Sequence, residues 1–153
     1  YVVALMTHLI HPRPDYRVLE VGTGSGYQAA VLSRLVDHVF TIEVVPELAQ
    51  EAEQRLRRLG YDNVSTRLGD GWTGWPEEAP FDAILVTAAP EMLPPPLLDQ
   101  LKPGGSLVAP IGSRWEGQDL LLVDKRQDGE TSIHSVIPVA FVPLIGKHGW
   151  ESS

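Results

Sequence analysis

Arg17-Val-Leu-Glu-Val-Gly-Thr-Gly-Ser-Gly-Tyr27 joins a short apolar run holding one acid to three alternating glycines, after which a helical pattern begins. An apolar run of this length reads as a buried strand. Glycines at 22, 24 and 26 let the backbone take positive φ and come close to a ligand, and the helix that follows offers unpaired N–H groups at its N-terminus. Strand, turn and helix in this order make the ligand-binding turn of a doubly wound sheet. The spacing is G-x-G-x-G, not the dinucleotide G-x-G-x-x-G. Tyr27 stands where dinucleotide folds place a third glycine for close helix–strand packing, which argues against NAD.

Three acids are expected at successive strand ends. Glu20 precedes the glycines, where a carboxylate would repel a pyrophosphate and attract a ligand carrying an ammonium and a sulfonium; S-adenosylmethionine has both. Glu43 closes the apolar run Val39-Phe-Thr-Ile42, at the distance from the first glycine where a carboxylate receives ribose hydroxyls. Asp70, in Leu68-Gly-Asp-Gly-Trp72 after the strand-like Asn63 to Arg67, could accept a hydrogen bond from an exocyclic amine such as that of adenine. Taken singly, each has a plainer reading as a turn residue or a solvated acid.

The 153 residues suffice for one domain with a real core. A net charge of −8 without a Lys/Arg cluster weighs against a nucleic-acid partner. The absence of cysteine excludes disulfides and thiol catalysis and suits a cytoplasmic protein. No stretch is long and apolar enough for a membrane helix, and no signal peptide is visible. The chain opens at Tyr1 in an apolar segment without a cap, which predicts a missing upstream portion. His8 and His11, three apart on the expected first helix, lack nearby Cys or carboxylate ligands, so no metal is expected.

Strand-like runs alternate with helical patterns, predicting a mostly parallel sheet with helices on both faces. Strands are expected at 17–21, 39–43, 64–67, 81–87 and 106–111. Helices are expected at 27–35, 46–59 and near 96–101; in the second, Leu48, Ala52, Leu56 and Leu59 share one face. Lys102-Pro-Gly-Gly105 reads as a breaker. The loop from Ser113 to Gln118 is too short for a parallel crossover, so the strands after it, at 120–123 and 133–144, should be antiparallel, with a hairpin turn at Gln127-Asp-Gly-Glu130. Trp72 is placed either beside an adenine or in core packing, and Lys147 to Ser153 reads as a polar tail.

The glycine turn with Glu20, Thr41-Ile-Glu43, Asn63 to Trp72, Phe81-Asp-Ala-Ile-Leu-Val-Thr-Ala-Ala-Pro90, Gln100-Leu-Lys-Pro-Gly-Gly105 and Phe141-Val-Pro-Leu144 together resemble the protein-L-isoaspartate O-methyltransferases, the bacterial branch most nearly. The resemblance covers nearly the whole chain. It implies a class I S-adenosylmethionine-dependent methyltransferase, a Rossmann-like α/β fold. The implied activity is methylation of the free carboxylate of L-isoaspartyl residues in damaged proteins, with S-adenosyl-L-homocysteine as product.

By the same resemblance, Gly22, Gly24, Ser25 and Gly26 would cradle the methionine part, with Thr23, Tyr27 and Val44 also among the cofactor-binding residues. Glu20 would support its amino end, Glu43 the ribose, and Asp70 with Gly71 the adenine. Thr87, Ala88 and Ala89 would floor the active site, and Val142, Pro143, Leu144 and Ile145 would border the substrate peptide. The serine that the family holds catalytically important belongs to a Ser-x-Pro loop before the segment that starts here at Tyr1, so no catalytic residue is assigned in this chain. The implied partners are isoaspartyl proteins and peptides, with no nucleic acid and no membrane, and the implied state is a monomer. Rival readings are a related enzyme esterifying aspartate in a ribosomal peptide, a module that binds S-adenosylmethionine without catalysis, and an NAD oxidoreductase.

The chemistry asks little acid–base help. An exposed carboxylate is already ionised at neutral pH. Alignment of its oxygen with the methyl carbon and sulfur would supply most of the acceleration, on the order of 7–11 kcal/mol when well achieved.

Overall fold

The computed structural model describes residues 1–113 and 115–146. Its elements are α1 (Val2–Leu9), β1 (Arg17–Val21), α2 (Tyr27–Ser33), β2 (His38–Glu43), α3 (Pro46–Arg58), β3 (Val64–Leu68), β4 (Phe81–Val86), α4 (Pro95–Gln100), β5 (Leu101–Ser113), β6 (Gly117–Lys125) and β7 (Thr131–Val139), with 3-10 turns at Gly71–Thr73 and Pro76–Glu78. The strands form one seven-stranded sheet in the order β3-β2-β1-β4-β5-β6-β7. β1 is parallel to both β2 and β4, β4 is parallel to β5, and the β5–β6 and β6–β7 pairs are antiparallel. The strand order reverses between β1 and β4. A crevice opens outside the strand C-termini at such a switch point, and the glycine turn lies there.

Side chains of β1 alternate between two cores, as strand geometry requires. Leu19 and Val21 join Phe40, Ile42, Phe81, Ile84, Val86 and Leu97 on one face. Val18 joins Met6, Val39, Ala29, Leu32, Ala83 and Leu85 on the other, which α1 and α2 cover. Glu20 is register-paired with Thr41, so these two polar side chains share the second face.

Several sequence expectations need correction. β5 starts at Leu101 and pairs with Phe81, and the register then jumps to Ala83 opposite Ser106. The Lys102–Gly105 breaker is therefore a bulge inside the strand. The last strand stops at Val139, short of 144, and residues 140–145 leave the sheet. Helix α2 ends at Ser33, not 35. On α3, Ala52 and Leu56 are buried, whereas Leu59 is exposed and Leu48 sits at the edge of a cavity. Trp72 packs against the core. His148, Trp150 and the tail from Lys147 lie outside the described residues.

Candidate active site

Glu20 is fully buried. Its Oε1 accepts a 2.6 Å hydrogen bond from Thr41 Oγ1, and the Thr41 and Thr23 hydroxyls lie 2.6 Å apart, linking the carboxyl to the glycine turn. Thr41 donates to Glu20, so it accepts from Thr23. Oε2 of Glu20 has no hydrogen-bond partner among the described residues. Burial raises its pKa to about 8 against the opposing Thr41 hydrogen bond, with the Glu43 charge adding a smaller rise. Among the described residues the second buried side-chain oxygen without a partner is Oε1 of Gln28, whose amide nitrogen donates to Thr7 Oγ1. Both residues line one cavity of about 330 Å³, together with Gly22, Thr23, Gly24, Ser25, Tyr27, Thr87 and the α1 residues Val2, Val3 and Met6.

Glu43 ties the glycine turn to the start of α3. Its Oε1 accepts from Gly24 N at 2.8 Å, and its Oε2 accepts from Val44 N and Val45 N at 3.0 and 3.1 Å. It lines a second cavity, of about 360 Å³, with Val44, Val45, Leu48, Gly71, Ala88, Val142, Pro143, Leu144 and Ile145. The wall is largely apolar, and Glu43 is the one carboxylate among its described residues, an arrangement that fits a flat heterocycle joined to a hydroxylated group. Gly71 lets the 3-10 turn press onto β1, because a Cβ there would collide with Val21 Cγ1.

Thr87, one residue past β4, holds the turn from below. Its hydroxyl lies in donor range of the Val21 and Gly22 carbonyls, and its N–H donates to Val21 O. The segment after β7 runs back over the strand ends to Ala89, whose N–H donates to Val142 O while its own carbonyl accepts from Leu144 N. Gln118 anchors the start of this return: its amide nitrogen donates to Phe141 O and its Oε1 accepts from Phe141 N.

The structure thus gathers most of the expected residues along one crevice, with differences of role. Ala89 is fully buried and pins the return segment. Asp70 does not line either cavity; its carboxylate accepts from Trp72 N, capping the 3-10 turn, and it abuts Gly146. Tyr27 is 66% exposed, so its ring does not obstruct helix–strand packing, and the argument drawn from it against NAD fails. At Gly26 a Cβ would reach only ordinary contact with Leu56 and Ala52 of α3, so this position favours glycine for its φ of +88°. Sequence reasoning missed Gln28, Leu48, Phe141 and the α1 residues Val2, Val3 and Met6. The unsheltered Leu48 carried a signal, being apolar at the N-terminal turn of a helix that starts beside Glu43.

Comparison with known proteins agrees with this geometry. A model of the family described as protein-L-isoaspartate(D-aspartate) O-methyltransferase matches residues 1–149. The chain belongs to this family. It is 58% identical over 147 residues to protein-L-isoaspartate O-methyltransferase 1 of Nitrosospira multiformis, covering 96% of this chain and 62% of that one. It is 60% identical over 148 residues to protein-L-isoaspartate O-methyltransferase 2 of Nitrosococcus oceani, covering 97% and 67%. The chain therefore spans about two thirds of the length of these curated relatives.

Among solved structures, a protein-L-isoaspartate O-methyltransferase superposes with a TM-score of 0.90 at 31% identity, over 97% of this chain and 48% of that one. A Plasmodium falciparum member of the family, crystallised with S-adenosyl-L-homocysteine, gives 0.73 at 27% identity over 93% and 70%. The fold is that of the class I methyltransferases, with antiparallel strands finishing the sheet.

Proposed function

We propose that this chain is a single domain that binds S-adenosylmethionine and forms the methyl-transfer body of a protein-L-isoaspartate O-methyltransferase acting on isoaspartyl proteins and peptides. The observation that carries the reading is the pair of unpartnered buried oxygens, Glu20 Oε2 and Gln28 Oε1, in the wall of the cavity formed by the glycine turn. An acceptor left unpaired in a protein interior costs about 1–3 kcal/mol, and a bound cation beside it offsets that cost. The amino-acid end of the cofactor, with its ammonium, fits this cavity. Its ribose and adenine fit the Glu43 cavity, which shares Gly22 with the first.

When bound, the cofactor supplies a methyl group on a sulfonium. The chain's own contribution is placement. Glu20 and Gln28 hold the cationic end, Glu43 takes a ribose hydroxyl on the one acceptor site of Oε1 that its three backbone donors leave available, and Gly71, Leu48 and Leu144 sandwich the base. Thr87 and Ala88 keep the turn in position beneath the reacting centre. An arginine clamp is absent from the residues lining either cavity, which suits a carboxylate nucleophile whose charge is neutralised as it reacts. No helix among the described residues is long and apolar enough to cross a membrane. The reading places the protein in the cytoplasm as a monomer, with no nucleic-acid or membrane partner.

Base-labile methyl transfer from labelled S-adenosylmethionine to peptides differing only in isoaspartate versus aspartate tests the reading. Transfer to the isoaspartyl peptide alone is the expected result. Transfer to the aspartyl peptide instead would favour the peptide-tailoring enzyme, and cofactor binding without any transfer would favour a binding module.

A second expectation concerns protons. With a pKa of about 8, Glu20 is mostly neutral at pH 7. A ligand ammonium nearby favours the ionised form, so binding of S-adenosylhomocysteine should release close to one proton at pH 7 and tighten as pH rises toward 8. Calorimetry in two buffers of different ionisation enthalpy reads this directly. Equal heats in both buffers would remove the ammonium from Glu20.

A further inference from the structure

A third cavity lies along the same edge of the sheet and is larger than either of the two already described. It has a volume of about 620 Å³ and is lined by Ser113, Gly117, Gln118, Val139, Ala140, Phe141, Val142 and Pro143. The topology puts it beside the crevice. β5 runs parallel to β4 and ends at Ser113, β6 starts antiparallel at Gly117, and β7 ends at Val139, so all three border the edge where the glycine turn sits. The cavity shares Phe141 with the glycine-turn cavity and Val142 and Pro143 with the Glu43 cavity. The return segment is thus a partition, with the two cofactor cavities on one side and this space on the other.

The described lining residues are uncharged. Five of its eight residues, Val139 to Pro143, are apolar. Both ends of the Gln118 amide are occupied by the Phe141 backbone. The Ser113 hydroxyl accepts from Glu116 N. A charged side chain entering here would lose water and meet at most two neutral donors, the Ser113 O–H and the second Gln118 N–H, whereas an apolar one would gain burial.

On the reading that the acceptor is a polypeptide, we propose that this cavity is a side-chain subsite that takes an apolar residue of the substrate beside the residue being methylated. The occupant is set by continuity. The acceptor carboxylate must reach the methyl group in the crevice, and a chain that places it there while passing over Phe141 to Pro143 lays a neighbouring side chain into this space. Cavity volume and neutral lining select a large aliphatic or aromatic side chain over alanine, and disfavour aspartate or lysine. Ala140 stands at an exposed position in the wall, where a larger residue fills the cavity without disturbing the core.

The test uses fluorescently labelled isoaspartyl peptides carrying alanine, leucine or aspartate at each flanking position in turn, titrated by anisotropy in saturating S-adenosylhomocysteine. Leucine at one position should bind at least about tenfold more tightly than alanine, the usual discrimination of an apolar pocket for added methylenes, and aspartate more weakly than alanine. Ala140→Trp should erase the leucine preference and Ala140→Leu should reduce it, with S-adenosylhomocysteine affinity unchanged in both as the check on folding. A leucine preference that survives Ala140→Trp, or no preference at any position, overturns the subsite. Methyl transfer, measured alongside, separates the two readings: transfer without flank preference sinks the subsite alone, and failure to bind any isoaspartyl peptide sinks both.

Discussion

Glu20→Gln is expected to make the protein more stable relative to the unsubstituted chain as pH rises, by on the order of 3–5 kcal/mol between pH 4.5 and pH 8. The carboxyl titrates near 4.5 when the chain is unfolded and at about 8 in the fold. Between these values the folded state holds a proton that the unfolded state has lost. The favourable contribution of the neutral acid is therefore complete below pH 4.5, declines through neutrality, and is gone above pH 8. Glutamine cannot ionise, and it keeps the oxygen that Thr41 donates to. Urea unfolding of both proteins at pH 5, 7 and 9 isolates this group, since the remaining acids are common to the two. A stability difference that does not vary with pH would mean that Glu20 is ionised in the fold. The same substitution should cancel proton release on ligand binding, which ties the buried acid to the site and not only to the core.

The parallel part of the sheet was legible because its signals are local. Arg17–Val21 and Phe81–Val86 are mostly apolar runs, each holding one acid, close to the pattern of strands covered on both faces, and Pro46 with Gly60 bracket α3. The antiparallel end was legible in its direction, through the short Ser113–Gln118 connection, and not in its extent. Ile137 to Leu144 is a nearly unbroken apolar stretch, and nothing in its composition marks Val139 as the last strand residue. That boundary is set by Gln118 and Ala89, both far away in sequence, whose hydrogen bonds pull Phe141 to Leu144 across the strand ends.

The site shows the same division. Glu43 and the glycines follow from their position after a strand. The state of Glu20 does not, because it depends on pairing with Thr41 across the sheet and on α1 and α2 covering that face. Asp70 was named for a ligand on its place in Gly-Asp-Gly, and the same place made it the cap of a 3-10 turn. Leu48 and Leu59 fit the helical period of α3, and neither is buried, since the sheet covers only part of that stripe.

Gly22 and Gly24 lie two residues apart in one turn, and replacing them should separate folding from binding. Gly22 has φ +102°, and a Cβ on it would sit 2.5 Å from Thr87 Oγ1. Positive φ costs an L residue roughly 1–2 kcal/mol, and forcing apart a packed contact adds about 1–3 kcal/mol. Gly22→Ala should therefore lower unfolding stability by about 2–5 kcal/mol. In a Thr87→Ala background the steric part disappears, so the two substitutions should be non-additive in a double-mutant cycle, with the second alanine costing only the backbone term. Gly24 has φ +54° and would place a Cβ in open space, with no protein atom within 4 Å. Gly24→Val should lose only the roughly 1–2 kcal/mol of backbone strain. Its side chain would enter the space given to the ligand, and S-adenosylhomocysteine affinity should fall at least about a hundredfold, the equivalent of some 2.8 kcal/mol. Calorimetric titration and urea unfolding of the two variants give the comparison. If Gly24→Val binds normally, the cavity beside the turn is not where the ligand sits; if Gly22→Ala is neutral and additive with Thr87→Ala, the close approach of β4 to the turn is not what the glycine serves.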